Sequence, residues 1–268
     1  MTRTLRIATW NINSLRLRLP LLSRLIAALD PDVICLQETK VPDELNPAPG
    51  LVALGYPHAI FRGMKGYNGV AIFSRIPLGV APEAPDWCMK GDCRHVAAVV
   101  QAPSGPVTLH DFYVPAGGDV PDRAVNVKFA HKLDFVAEAT AWFARHPPTR
   151  AVLVGDLNIA PLEHDVWSHR ALLDVVSHTP QEVALMAAWQ REGWVDAVRH
   201  FVPAERKLYS WWSYRNRDWR LSNRGRRLDH IWITADLLPS LRSHTILTDA
   251  RDWPQPSDHV PVCIKLEV

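Results

Sequence analysis

No stretch of this chain approaches the roughly 18 consecutive apolar residues that read as a membrane span. The N-terminal MTRTLRIATWNIN lacks the apolar core of a secretory leader, so a soluble, cytoplasmic protein is expected. Cysteine is scarce, at four in 268 residues. Cys88 and Cys93 lack the C-x-x-C spacing of a redox or zinc site, and Cys35 and Cys263 fall in apolar runs that predict buried thiols. A reducing compartment suits that usage. Neither charge sign dominates: 30 Lys and Arg against 28 Asp and Glu leave +2. A site for a polyanion must therefore come from local clustering of cations. H-E-x-x-H, P-loop, G-x-S-x-G and G-x-G-x-x-G motifs are all missing. Zinc hydrolysis, nucleoside-triphosphate chemistry and serine hydrolysis are left without support. No low-complexity linker or shift in composition divides the chain, so one domain over residues 1–268 is expected.

What is present is core-forming. Hydrophobic residues make up 47%, with 11 Trp, enough to bury a sizeable interior. Apolar runs bounded by turn residues predict strands at Leu5–Trp10, Val33–Gln37, His58–Arg62, Val70–Ser74, His95–Gln101, Val107–Tyr113, Ala151–Gly155, Leu228–Thr234 and Val260–Val268. Leu22, Leu25, Ile26 and Leu29 repeat at helical spacing until Asp30-Pro31 stops them. Further helices are predicted over Arg123–Arg145 and about Gln181–Arg191, the latter stopped by Gly193. Strands that follow one another without helices between them argue for antiparallel pairing with helices packed outside. A faint internal echo links Leu5–Trp10, ending in Asn11-Ile12-Asn13, with Ala151–Gly155, ending in Asp156-Leu157-Asn158. A duplicated fold gives such an echo, and so does chance.

The informative polar residues stand where strands stop: Asn11, Glu38, Tyr113, Asp156 and Asn158, and Asp258-His259 just before the last strand. Any one alone reads as a turn former, a solvated strand end or ordinary half-buried core. Asp229 is harder to dismiss, because a carboxylate between Leu228 and Ile231-Trp232 needs a partner if its face is buried. His230 beside it should point to the opposite face. Together these residues look like a hard-metal site. Glu38, Asp156 and Asp258 supply carboxylates, Asn11 and Asn158 amide oxygens, and His259 a phosphate donor, a set that suits Mg²⁺. Arg215–Arg227 then carries Arg215, Arg217, Arg220, Arg224, Arg226 and Arg227 against the single acid Asp218. A generic arginine run is a solvated loop. This one follows Tyr209, Trp211, Trp212 and Tyr214, includes Trp219 and leads into Asp229, which suits a surface that tracks a nucleic-acid backbone.

The strings Trp10-Asn11-Ile12-Asn13, Leu36-Gln37-Glu38-Thr39-Lys40, Lys65-Gly66-Tyr67-Asn68-Gly69-Val70-Ala71, Gly155-Asp156-Leu157-Asn158-Ile159, Ser210-Trp211-Trp212-Ser213-Tyr214-Arg215, Arg227-Leu228-Asp229 and Ser257-Asp258-His259 resemble the exonuclease III family of abasic-site endonucleases. They occur in family order from residue 10 to 259. The wider DNase I-like superfamily shares the strand-end acids. The resemblance implies a four-layer α/β sandwich, two mixed β-sheets face to face with helices outside. It implies a DNA repair nuclease using Mg²⁺, with Mn²⁺ as a substitute. Such an enzyme cuts 5′ to abasic sites or trims nucleotides and blocking groups from 3′ ends. Double-stranded, damaged DNA is the implied partner, with no membrane or protein partner and a monomeric state.

Residue by residue, the resemblance makes Glu38 the principal metal ligand with Asn11 beside it and Asp258 a second metal-site acid. Asp156 orients or activates the attacking water, and Asn158 holds that water and the phosphorane charge. His259 binds phosphate, Asp229 fixes His259, and Tyr113 contacts the scissile phosphate. Trp211 and Leu228 match walls of a pocket for an extruded abasic sugar. Arg226 departs from the apolar residue usual at its position, which weakens the case for abasic sites relative to 3′ ends. Pro115-Ala116-Gly117-Gly118 reads as a flexible turn near the phosphate or a simple loop. Two other readings stay open: a phosphoesterase of inositol phosphates or phospholipid headgroups, and a non-catalytic nucleic-acid binder.

Overall fold

The computed structural model describes residues 4–45, 48–81, 85–216 and 218–268. One six-stranded sheet runs in the order β13 (Leu241–Ile246), β14 (Val262–Glu267), β1 (Thr4–Asn11), β2 (Val33–Gln37), β4 (Tyr67–Ser74), β3 (His58–Met64). The second runs β5 (Leu78–Val80), β6 (His95–Ala102), β7 (Gly105–Tyr113), β8 (Ala151–Asp156), β12 (Asp229–Thr234), β9 (Trp194–Asp196). A short ribbon pairs β10 (Trp211–Trp212) with β11 (Gly225–Arg226). The helices are α1 (Leu15–Leu29), α2 (Ala48–Ala53), α3 (Val127–Arg145), α4 (His169–Leu172), α5 (Pro180–Gln190) and α6 (Trp219–Ser222). Among the described residues, no helix is long and apolar enough to cross a membrane.

Alternation along the strands builds the layers, since successive side chains point to opposite faces. Ile7, Cys35 and Ile72 of the first sheet meet Leu109, Val154 and Ile231 of the second in the central core. The opposite faces are equally apolar. Trp10, Leu36 and Phe73 pack under Leu22 and Leu25 of α1. Phe112, Leu153 and Trp232 pack under Phe135 and Phe143 of α3 and Trp189 of α5. The result is the expected four layers. The internal echo has a counterpart here: β1 and β8 are each parallel to one neighbour (β2, β7) and antiparallel to the other (β14, β12).

The predicted long elements are present, with shifted ends. The Arg123–Arg145 helix starts only at Val127, because Asn126 is extended and its side chain caps the backbone N–H of Lys128. The last strand begins at Val262, not Val260. The predicted helix near Gln181 starts at Pro180, where Thr179 and Glu182 form a reciprocal capping box. Elements too short to carry a period went unread: β5, β9, β10, β11, α4 and α6. The six-residue strand β13 escaped as well. Its pattern Leu-Arg-Ser-His-Thr-Ile is largely polar and partly exposed.

Candidate active site

Register places the polar strand ends side by side. In the second sheet Tyr113 lies opposite Asp156, and Asp156 opposite Asp229. In the first sheet Asn11 pairs with Gln37, and Glu38 follows at once. Gly155 makes the close approach feasible: its φ is +141°, and a side-chain carbon there would sit 1.9 Å from the Phe112 carbonyl oxygen. Glu38, Lys40, Asn13 and Asn158 all adopt positive φ, the left-handed region that non-glycine residues avoid. Such residues cluster at functional sites.

Asn11 ties the two sheets together. Its amide nitrogen donates to Glu38 Oε1 at 3.0 Å and to Asp156 Oδ2 at 2.8 Å, while its oxygen accepts from the Asn13 backbone N–H at 3.1 Å. Glu38 also accepts from Tyr113 Oη at 2.8 Å and pairs with Lys40 Nζ at 2.8 Å. Burial resists ionisation of Glu38, but Lys40 and these donors hold its carboxyl below the usual range. Burial pushes the Tyr113 phenol well up, and the neighbouring Glu38 and Asp156 add to that. The Arg94 guanidinium lies 4.8 Å from the centroid of the Tyr113 ring.

On the other side, His259 Nδ1 bonds Asp229 Oδ2 at 2.8 Å, and its Nε2 stands 3.7 Å from Asp156 Oδ2. Ser210 Oγ donates to Asp229 Oδ2 at 2.6 Å. Burial disfavours the imidazolium, yet Asp229 and Asp156 outweigh it and raise His259 to about 10. Burial pushes Asp156 up to about 7, against the pull of His259. Asn158 donates from its backbone to Asp156 Oδ1 at 3.0 Å and from its side chain to Asp156 Oδ2 at 3.1 Å. Asp258 accepts from Asn13 Nδ2 at 3.1 Å and from Trp211 Nε1 at 2.9 Å. Burial opposes its ionisation, but His259 and these donors keep it below the usual carboxylate range. His230 points away, to the face where it bonds the Ile159 carbonyl at 2.8 Å.

The site opens into a cleft of about 780 Å³. Glu38, Asp156, Asn158, Asp258 and His259 form one end; Trp167, Leu172, Val176, Trp211 and Leu228 give it an apolar wall. Arg215, Arg224 and Arg226 also line it. Arg226 is anchored by Nη1 to the Val176 carbonyl at 3.0 Å and Ser177 Oγ at 2.8 Å, with its guanidinium 5.4 Å from the Trp211 ring. Arg224 lies 4.8 Å above Trp167. Two arginines of the run are placed otherwise: Arg220 is paired with Asp249 and Asp252, and the fully buried Arg227 with Asp165 and Asp196. Arg217 lies outside the described residues.

Several members of the site escaped the sequence reading. Lys40 and Asn13 sit inside quoted strings, but only the left-handed turns at Glu38 and Asn13 fold them back onto the acids. Ser210 and Trp167 carried no signal beyond their neighbours.

A divalent ion suits the donor set. Four carboxylates, Glu38, Asp156, Asp229 and Asp258, converge against the cations Lys40 and His259. Asp156 and Asp229 each present a carboxylate oxygen within 4.8 Å of the other and of His259, which as an imidazolium offers no lone pair to a metal. Asp229 Oδ1 is buried without a hydrogen-bond partner among the described residues. Asn11 presents its NH₂ to the acids, so it joins a metal only if its amide turns over.

The sequence profile of the Endonuclease/Exonuclease/phosphatase family matches residues 8–259. The chain is 31% identical to exodeoxyribonuclease III of Haemophilus influenzae over 96% of its own length and 98% of that protein. Its fold is similar to the 3′ phosphatase NExo from Neisseria bound to a product DNA hairpin, with TM-score 0.89 and 29% identity over 98% of this chain and all of that one. An AP endonuclease from Archaeoglobus fulgidus matches with TM-score 0.86 and 28% identity at the same coverage. With strand ends, register and relatives in agreement, this chain belongs to the endonuclease/exonuclease/phosphatase family and is a phosphodiester hydrolase of its exonuclease III and AP endonuclease type.

Proposed function

We propose that the protein is a Mg²⁺-dependent nuclease of duplex DNA, acting first at 3′ ends and 3′-blocking groups and more slowly at abasic sites. One observation carries this reading. Asp156, Asn158 and His259 converge with Glu38, which holds the Tyr113 hydroxyl, at the end of a cleft whose other wall combines indoles with guanidinium groups. Acid, amide and imidazolium suit hydrolysis of an anionic ester, and the aromatic and basic wall suits a nucleic-acid strand. The relatives support it: an exodeoxyribonuclease III, a 3′ phosphatase and an AP endonuclease.

Asp156, as carboxylate, accepts a proton from the water attacking phosphorus. Asn158, whose NH₂ is committed to Asp156 Oδ2 and the Val114 carbonyl, accepts from that water through Oδ1. His259 donates through Nε2 to the phosphate, its ring fixed by Asp229 on Nδ1. Tyr113 lies beside the scissile group. Glu38 and Asp258, joined by Asn11 if its amide turns over, would hold Mg²⁺, which supplies Lewis-acid stabilisation when bound and which Mn²⁺ can replace. Arg226 favours the 3′ end: an anchored guanidinium in the pocket wall suits an anionic terminus better than a neutral sugar. Free cysteines at all four positions fit a monomer working in a reducing cytoplasm.

Three end-labelled duplexes test this: one abasic, one with a 3′-phosphate, one blunt. Loss of the 3′-phosphate faster than abasic incision is expected, with all cleavage abolished by EDTA and restored by Mg²⁺. Turnover of inositol phosphates in a parallel assay, with all three duplexes intact, would overturn the reading.

A further inference from the structure

Beneath the floor of the site lies an ion pair that the chemistry above does not use. Lys132 of α3 and Glu182 of α5 are paired, and both are fully buried. Replacing a buried ion pair with apolar groups is often neutral or stabilising, so stability alone is a weak reason for this one. Its contacts supply a better reason. Lys132 Nζ donates to the Asn158 carbonyl at 2.7 Å and to the Ala116 carbonyl at 3.3 Å. Glu182 accepts from the Ser177 backbone N–H through both carboxylate oxygens at 3.0 Å, and from the Thr179 hydroxyl at 2.7 Å. Three loops therefore meet on one pair: the turn after β8 bearing Asn158, the turn after β7, and the segment 175–179 that lines the cleft.

Asn158 sits at φ +54°, a left-handed turn that asparagine tolerates, and Lys132 fixes the direction of its carbonyl. With its carbonyl drawn to the ammonium, its side-chain amide reaches Asp156 Oδ2 and the Val114 carbonyl. The glycine-rich turn is packed rather than loose. A side-chain carbon on Gly117 would stand 2.9 Å from both Lys132 Cδ and Val176 Cγ1, so this glycine leaves the lysine stem its channel. The segment held by Glu182 in turn anchors Arg226 through Val176 and Ser177.

We propose that Lys132 and Glu182 are a pair of positioning residues: Lys132 sets Asn158 against the reacting phosphate, and Glu182 sets the cleft wall. Neither touches substrate. The proposal rests on the reading of Asn158 as a group at the reacting centre. Lys132→Met alone strands a buried acid and is expected to lower Tm. Lys132→Met with Glu182→Gln removes both charges and is expected to restore Tm while kcat on a 3′-phosphate duplex stays at least tenfold down. Glu182→Gln alone is expected to raise KM severalfold with a smaller change in kcat. In the metal-free protein, the side-chain amide resonance of Asn158 moves in the double variant. Recovery of kcat together with Tm, or an unmoved Asn158 amide, makes the pair mere scaffolding and overturns the proposal. Asn158→Ala run in parallel separates the two levels. If it is inactive while the double variant is fully active, only the pair's role fails; if it turns over normally, the reading of Asn158 falls and the proposal with it.

Discussion

Asp156 and His259 stand 3.7 Å apart, and both ionise at higher pH than free side chains. Burial raises the acid to about 7, whereas for the base Asp229 and Asp156 overcome burial to reach about 10. On the proposed mechanism the working pair is a carboxylate beside an imidazolium. Cleavage is therefore expected to rise as Asp156 loses its proton, at about 7 without metal and lower with a divalent cation beside it, and to fall through about 10, when His259 loses its own. A pH–rate profile whose acid limb does not move with metal concentration counts against Asp156 as the base. Asp156→Asn should abolish cleavage and leave DNA binding intact, checked by gel shift beside a turnover assay. Asp229→Asn removes the strongest support for the imidazolium, so the basic limb should move to lower pH. A loss in kcat of roughly 10²-fold or more should accompany it, as for other displaced charge stabilisers.

Among elements, the link from the β10–β11 ribbon into β12 shows how the site is braced from behind. Arg227, next to Leu228 and Asp229, bonds Asp165 through Nε at 2.8 Å and Asp196 through Nη1 at 2.6 Å, and Arg199 also pairs with Asp165. Burial opposes ionisation of Asp165, but Arg227 and Arg199 prevail and hold its carboxyl below the ordinary 3.8. A depressed folded pKa gives stability that is present above 3.8 and lost as pH falls below it. Asp165→Asn is expected to cost about 3 kcal/mol at neutral pH, read by urea unfolding, because it leaves buried guanidinium charge uncompensated. The variant should also lose part of the acid limb of the wild-type stability curve; an unchanged limb would refute the assignment. Elements long enough to show a period were legible beforehand, as for α3 and β7. The ribbon was not, because two residues a side carry no period, and Arg227 just after it is held by partners more than 30 residues away.

Over the whole molecule, charge is nearly balanced, so binding of a polyanion depends on where the cations stand. Arg215, Arg224 and Arg226 line the cleft, whereas Arg220 is matched by Asp249 and Asp252. Arg224→Ala should weaken DNA binding and flatten the plot of log K against log salt by about one unit of slope. Arg220→Ala should leave the slope unchanged. Equal effects from the two, measured by fluorescence anisotropy across a salt series, would show that the run acts as a diffuse patch and not as a lined cleft.

Local pattern carried much of this protein. Alternating apolar residues and turn formers report only on near neighbours, and they sufficed for the long strands, the buried Cys35 and Cys263, and the acids at strand ends. Family likeness in short strings then supplied roles for Glu38, Asp156, Asp229 and His259. Tertiary structure alone decided which of these meet and what supports them. Asn11 reaches Glu38 across 27 residues and Asp156 across 145, contacts set by strand order and register that no window of sequence encodes. Lys132 is the plainest case: a lysine in an amphipathic helix reads as solvent-facing, and only the packing of α3 on α5 buries it under Asn158.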